Sequence, residues 1–181
     1  MKSVLVEEEI EIPNGVKVNI ESMRVTVIGP KGTLIKDFSY LNNVRVEIKD
    51  NKVIITSYFA DKRTKALTYM LAGKIRNMIL GVTKGFRYYL KIVHSHFPIS
   101  VKVQGKEVLI QNLIGEKNVR RAMIMGNTKV NVKGEDIIVE GIDIEDVGQT
   151  AANIENASKL RKLDRRVFMD GIYIYKREVI E

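Results

Sequence analysis

The second half of this chain repeats the first, and that constrains the fold more than any other feature. Alternating apolar runs Val44-Val46-Ile48 and Val53-Ile54-Ile55, joined by Asp50-Asn51, precede a helix-like stretch. An interval of 84 residues carries Val46 onto Val130, Ile48 onto Val132, Val53 onto Ile137, Ile55 onto Val139 and Met70 onto Ile154. Two strands and the helix that follows, all at one interval, point to duplication. Upstream, Val16-Val18-Ile20, Val25-Val27 and Thr33-Ile35 alternate as strands. They are linked by Pro13-Asn14-Gly15 and Gly29-Pro30-Lys31-Gly32, both good turn chemistry. The second half supplies Tyr88 to Val93, a strand from Pro98 through Val101 and Val103, and Val108-Leu109-Ile110, and later joins its two paired runs through Lys133-Gly134-Glu135-Asp136. Asp61 is placed to cap a helix along Leu67, Leu71, Ile75 and Met78 that ends near Gly81; Asp143 is placed to cap another along Val147, Ala151 and Ile154. The expected fold is α+β: two tandem similar domains, 1–82 and 83–181, each an antiparallel β-sheet with one α-helix packed on one face. The connection Gly81-Val82-Thr83-Lys84-Gly85-Phe86 is short, so the domains are expected to be close neighbours.

Charge comes next. From Lys62 to Lys106 there is no Asp or Glu but ten basic residues, whereas Glu135, Asp136, Glu140, Asp143, Glu145 and Asp146 share twelve residues with no Lys or Arg. Such segregation, with a net charge of +8 and a pI near 9.6, predicts one face for phosphate and another for water. An anionic membrane is the other acidic partner to weigh. No apolar run approaches the ~18 residues of a spanning helix, and the acidic, alternating stretch Met1 to Glu11 does not read as a signal peptide. With no Cys, disulfides, thiolate metal sites and Cys nucleophiles are excluded, which fits a cytoplasmic protein.

Signals of catalysis are weak. His94 and His96 would share a face of a strand, but no acid lies within ten residues and a third metal ligand would have to come from far away. Gly29-Pro30-Lys31-Gly32-Thr33 lacks the spacing of a phosphate loop and reads as a hairpin turn. The carboxylates Glu7, Glu8, Glu9 and Glu11 read as a solvated run, not an acid–base pair. No catalytic residue, metal site, cofactor or small-molecule substrate is expected.

Three basic clusters stand out. Lys84 and Arg87 begin the second half, where alternation puts Arg87, Tyr89 and Lys91 on one strand face and Phe86, Tyr88 and Leu90 on the other. Lys117, Arg120 and Arg121 follow Gly115, in what reads equally as a solvated loop. Lys159, Arg161, Lys162, Arg165 and Arg166 follow the last helix, more cations than its dipole asks for. Beyond them runs Phe168-Met169-Asp170-Gly171-Ile172-Tyr173-Ile174-Tyr175-Lys176-Arg177. It reads as a tight Asp-Gly turn and an extended tail, either an edge strand burying Phe168 and Ile172 or a tail offering Tyr173 or Tyr175 to a sugar or base.

At these residues the chain resembles a known family, ribosomal protein six of the large subunit, in its archaeal/eukaryotic branch. The most specific match is Arg166, Phe168, Asp170, Gly171, Ile172, Tyr173 and Lys176. Agreement extends to Val27 to Leu34, Gly81 to Tyr88, His94 to Ile99, and Gly115-Glu116-Lys117 with Arg120-Arg121, in family order over almost the whole chain. The tail, ending at Glu181, is shorter than in eukaryotic members. The resemblance implies a duplicated α+β protein with no catalytic residues. It also implies binding to large-subunit ribosomal RNA near the sarcin–ricin loop, among neighbouring ribosomal proteins and beside the docking site of translation GTPases. It assigns the RNA contact chiefly to the C-terminal domain, here Lys159 to Arg166 with Phe168, Asp170, Gly171, Tyr173 and Lys176. The residues and the resemblance together lead to a structural, RNA-binding component of the cytoplasmic ribosome. A free RNA-binding regulator is the alternative, and an enzyme using His94 and His96 with a metal the remaining one.

Overall fold

The computed structural model describes residues 3–160, 163–164 and 166–180. The chain divides into two units, Met1–Lys84 and Gly85–Glu181. In the first, β1 (Ser3–Glu11), β6 (Lys52–Ala60) and β5 (Arg45–Lys49) form one antiparallel sheet in the order β1-β6-β5. A second sheet has the order β2 (Lys17–Glu21), β3 (Arg24–Gly29), β4 (Gly32–Asp37). Helix α1 (Lys62–Thr83) buries Leu71, Ala72, Ile75, Met78, Ile79 and Val82 against Val25, Val27, Val53 and Ile55. The Asp61 carboxylate caps α1 by accepting from the Thr64 N–H at 2.7 Å.

The helix runs two residues past Gly81. Gly81 is buried inside α1, and the left-handed residue that follows the helix end is Gly85, at φ 81°. The extra turn has a docking partner. Residues Pro30 and Lys31 make the β3–β4 hairpin turn, and there the Lys31 N–H donates to the Val82 carbonyl at 2.9 Å while its ammonium reaches the carbonyl of Lys84. The Gly-Pro-Lys-Gly segment is thus a hairpin seated on a helix end. The first glycine is there for close approach, since a Cβ on Gly29 would lie 2.6 Å from Val82 Cγ2.

The second unit repeats this plan. Its sheets are β8 (Ser100–Gln104), β9 (Glu107–Gln111), β10 (Arg120–Met123), and a four-stranded sheet in the order β11 (Lys129–Lys133), β12 (Asp136–Gly141), β7 (Phe86–Val93), β13 (Gly171–Val179). Helix α2 (Ile144–Ser158), capped by Asp143 through the Glu145 N–H, buries Val147, Ala151 and Ile154. Shifting β5 by 84 residues gives the bounds of β11, and the strand orders β2-β3-β4 and β8-β9-β10 correspond. The expected duplicated α+β architecture is therefore present, with the strands of each unit parted into two sheets where one was expected. β13 is the addition: it covers the edge of β7, whereas among the described residues no strand pairs with the outer edge of β1, its counterpart. The acidic run at Glu7, Glu8, Glu9 and Glu11 lies on that edge strand, where charge discourages edge-to-edge pairing.

Candidate nucleic-acid interface

Two basic clusters that are remote in sequence meet in the second unit. Strand β10 carries Arg120 and Arg121 past the C-terminal end of α2, which leads into Lys159. Together with Glu116, Asn156, Ala157, Leu160 and Leu163 they line an open groove of about 600 Å³. Lys117 is exposed in the loop entering β10, and Lys159 is exposed just after the helix. Neither makes an ion pair among the described residues, whereas Arg121 pairs with Glu107 at 3.7 Å. Arg120 has a different task. Its guanidinium grips both Glu116 oxygens, at 2.6 and 2.9 Å, and donates to the carbonyls of Ala157 and Lys159, each at 3.0 Å. The last turn of α2 has no basic residue of its own, so Arg120 satisfies its end from another strand. That contact holds the Glu116 carboxyl below the usual carboxylate range. Arg161, Lys162 and Arg165 lie outside the described residues. Arg166 is exposed and bonded to Asp164, whose carboxyl it holds low. Lys84 caps the end of α1 with an exposed side chain.

Asp170 is turned inward. Its side chain is wholly buried, and its carboxylate accepts from the N–H groups of Ser95 (2.8 Å) and His96 (3.1 Å), the Ser95 hydroxyl (3.2 Å) and His96 Nδ1 (2.7 Å). An ionised carboxylate only accepts, so Nδ1 carries the proton. Burial pushes the carboxyl up, but the hydrogen bonds from His96 and Ser95 outweigh it and leave the pKa far below the usual range. The Asp-Gly pair is not a tight turn, because Gly171 begins β13. A Cβ on Gly171 would sit 3.3 Å from the Tyr173 hydroxyl. Phe168 is half-buried with its ring 4.9 Å from that of His96, while Ile172 is fully buried. The Ile172 N–H donates to the buried Ser158 hydroxyl at 2.9 Å, tying β13 to the end of α2. The tail is therefore an edge strand clasped by the loop after β7.

The histidines lie in that loop, beyond the end of β7, and not on a strand face as expected. The acids they lack in sequence arrive through the fold: Asp170 for His96, and Glu135 at 3.9 Å for His94. No group of three potential ligands suited to a metal ion occurs among the described residues.

Charge segregation in sequence is partly undone in space. β12 pairs with β7 so that Glu140 faces Arg87 and Asp136 faces Lys91. Arg87 bonds Glu140 at 2.5 Å and the Tyr89 hydroxyl at 3.3 Å, and Lys91 pairs with Glu135 and Asp136 at 3.4 Å each. Lys176 pairs with Glu178, and its ammonium lies 5.3 Å from the Tyr89 ring centre. Tyr89 donates to Glu178 at 2.6 Å and meets the exposed Tyr175 ring at 6.0 Å. Arg87 and Lys176 thus belong to a network on this sheet face, apart from the groove. Sequence reading did not single out Ser158 and Asn156, since small polar residues carry no periodic signal, and it held Ser95 and Leu160 only within longer runs.

Comparison with known proteins agrees with this architecture. The model of the family described as Ribosomal protein L6 matches twice, at residues 12–85 and 97–171. A protein of Sulfurisphaera tokodaii named large ribosomal subunit protein uL6 is 63% identical over 180 residues, covering 99% of this chain and 97% of the relative. Proteins of the same name from Aeropyrum pernix (58% identical, 99% and 98% covered) and Saccharolobus solfataricus (55% identical, both chains covered in full) are also similar. Two matches of one family model, spanning most of both units, and relatives aligned from end to end leave one conclusion: the chain belongs to the Ribosomal protein L6 family.

Proposed function

We propose that this protein is a structural component of the large ribosomal subunit in the cytoplasm, and that it grips large-subunit ribosomal RNA through its C-terminal domain, residues 83–181. The convergence of Arg121 and Lys159 on one open groove, with Lys117 beside it, carries the reading. Lysine and arginine heads there would replace condensed counterions on the phosphates, which supplies affinity without reading sequence. Leu160 and Leu163 add an apolar floor, and the rigid frame of Arg120, Asp170 and Ser158 holds the groove and the tail in register. Folded RNA is recognised by shape in this way. Arg166, whose partner Asp164 is also exposed, can exchange that pair for a phosphate. In this reading the RNA target lies near the sarcin–ricin loop, beside the docking site of translation GTPases and among other subunit proteins, as the family resemblance implies. Nothing in this role requires turnover of a substrate.

Replacing Lys117, Arg121 and Lys159 with Ala is expected to flatten the dependence of log affinity on log salt by roughly 0.7–0.9 per lost phosphate contact. An unchanged slope would remove the groove from the interface. Cosedimentation should place the protein stoichiometrically in large subunits, and its absence there would favour a free RNA-binding regulator.

A further inference from the structure

We propose that the N-terminal unit carries a second RNA-binding surface, at the junction of β6 and α1, which takes unpaired nucleotides by stacking their bases on Tyr58 and Phe59. Phe59 is 72% exposed and Tyr58 57% exposed. Leu5, opposite Tyr58 on β1, is exposed as well, as is Val4 beside it, so exposed apolar side chains concentrate at this end of the strand pair. Scattered exposed apolar residues are ordinary, but a concentration that includes two aromatics marks a contact site.

Backbone geometry shows that the ring is displayed and not merely left over. Along β6, Val53, Ile55 and Ser57 face the core, so alternation would send residue 59 inward. Instead Phe59 takes φ 49°, a left-handed conformation that bulky residues rarely adopt, and stays exposed while Ala60 after it is buried, with the β1–β6 register unbroken on either side. The backbone at residue 59 departs from strand geometry and leaves the ring in solvent.

Charge identifies the occupant. Lys62, Arg63 and Lys65 follow at once, all exposed, with no ion pair among the described residues. The first turn of α1 holds no acid, and cations there oppose the helix dipole, so they do not serve the helix. Lys65 lies 5.9 Å from the ring centre of the exposed Tyr69. Residues 1–84 hold fourteen Lys and Arg against nine Asp and Glu, a net +5, compared with sixteen against thirteen, a net +3, for residues 85–181. The unit without the groove is the more basic one. A second copy of the chain would set these cations against themselves in a symmetric contact. Flat aromatic faces beside free cations fit single-stranded nucleic acid, where bases stack and phosphates pair.

The test uses the full chain, a single-stranded oligouridylate and a duplex RNA of equal length, followed by tyrosine fluorescence and filter binding. The variants are Y58S with F59N, and separately K62A/R63A/K65A. Asn tolerates the left-handed backbone, so F59N removes the ring and keeps the local conformation. The aromatic pair is expected to weaken oligouridylate binding by about tenfold or more and leave duplex binding unchanged. The lysine–arginine variant should weaken both and reduce the salt slope. K117A/R121A/K159A, in the C-terminal groove, should spare the fluorescence response, so failure of the groove and failure of this surface are separable. Unchanged oligouridylate affinity in Y58S/F59N would overturn the proposal. So would photocrosslinks from position 59 in assembled large subunits that reach only protein.

Discussion

Single residues settle most of what is rigid here. Asp170 looked like part of an RNA-facing motif, yet its carboxylate spends every hydrogen bond inside the protein. Asp170→Ala strands the Ser95 and His96 donors and is expected to cost about 2–4 kcal/mol, read as a lower urea midpoint. The pH dependence has a definite sign. A carboxyl whose folded pKa lies below its unfolded value, about 3.9, stabilises fully above that value and loses the contribution as pH falls through the folded pKa. Acid titration of wild type should therefore show a steeper stability loss below about pH 4 than Asp170→Asn, which keeps only the share of the other carboxyls held low, such as Glu116. Gly29 makes the same point about space. A Cβ there meets the backbone carbonyl of Val82 at 2.9 Å as well as its side chain, so Gly29→Ala is expected to destabilise by about 1–3 kcal/mol in thermal melts.

Among the elements, periodic ones were legible and locked ones were not. Helices α1 and α2 followed from their apolar spacing and aspartate caps, and the paired strands β5–β6 and β11–β12 from alternation and turns. The end of α1 was misplaced because Gly81, a plausible stop, is instead the small residue that a buried helix face requires. β10 was invisible because it opens on two arginines, Arg120 and Arg121, that read equally well as loop. Arg120 shows what that strand is for: it neutralises the end of a helix far from it in sequence. Arg120→Ala is expected to cost about 1–2 kcal/mol and to speed amide exchange at residues 155–159, whereas Arg121→Ala should leave stability within about 0.5 kcal/mol.

For the whole molecule, duplication and charge pull in different directions. The two units share their strand orders and one interval, but only the second has β13 with its clasp, and the groove lies in that unit between β10 and the end of α2. That asymmetry is why the groove residues are proposed as the main grip. Net charge is distributed the other way, +5 and +3, so polyanion binding should not vanish with the groove. K117A/R121A/K159A is expected to retain a salt-dependent affinity for single-stranded RNA. A slope near zero in that variant would mean that the charge of the first unit is idle.

Sequence alone determined the α+β class, the repeat, the helix caps and the strongly basic character, because each is written in local spacing or in totals that folding cannot alter. Only the tertiary structure decided which cations are free. Strand pairing set the acids of β12 beside Arg87 and Lys91, and brought Arg121 to Lys159. Charges act through space over a few ångströms, and the distances that count are set by register and packing between residues far apart along the chain.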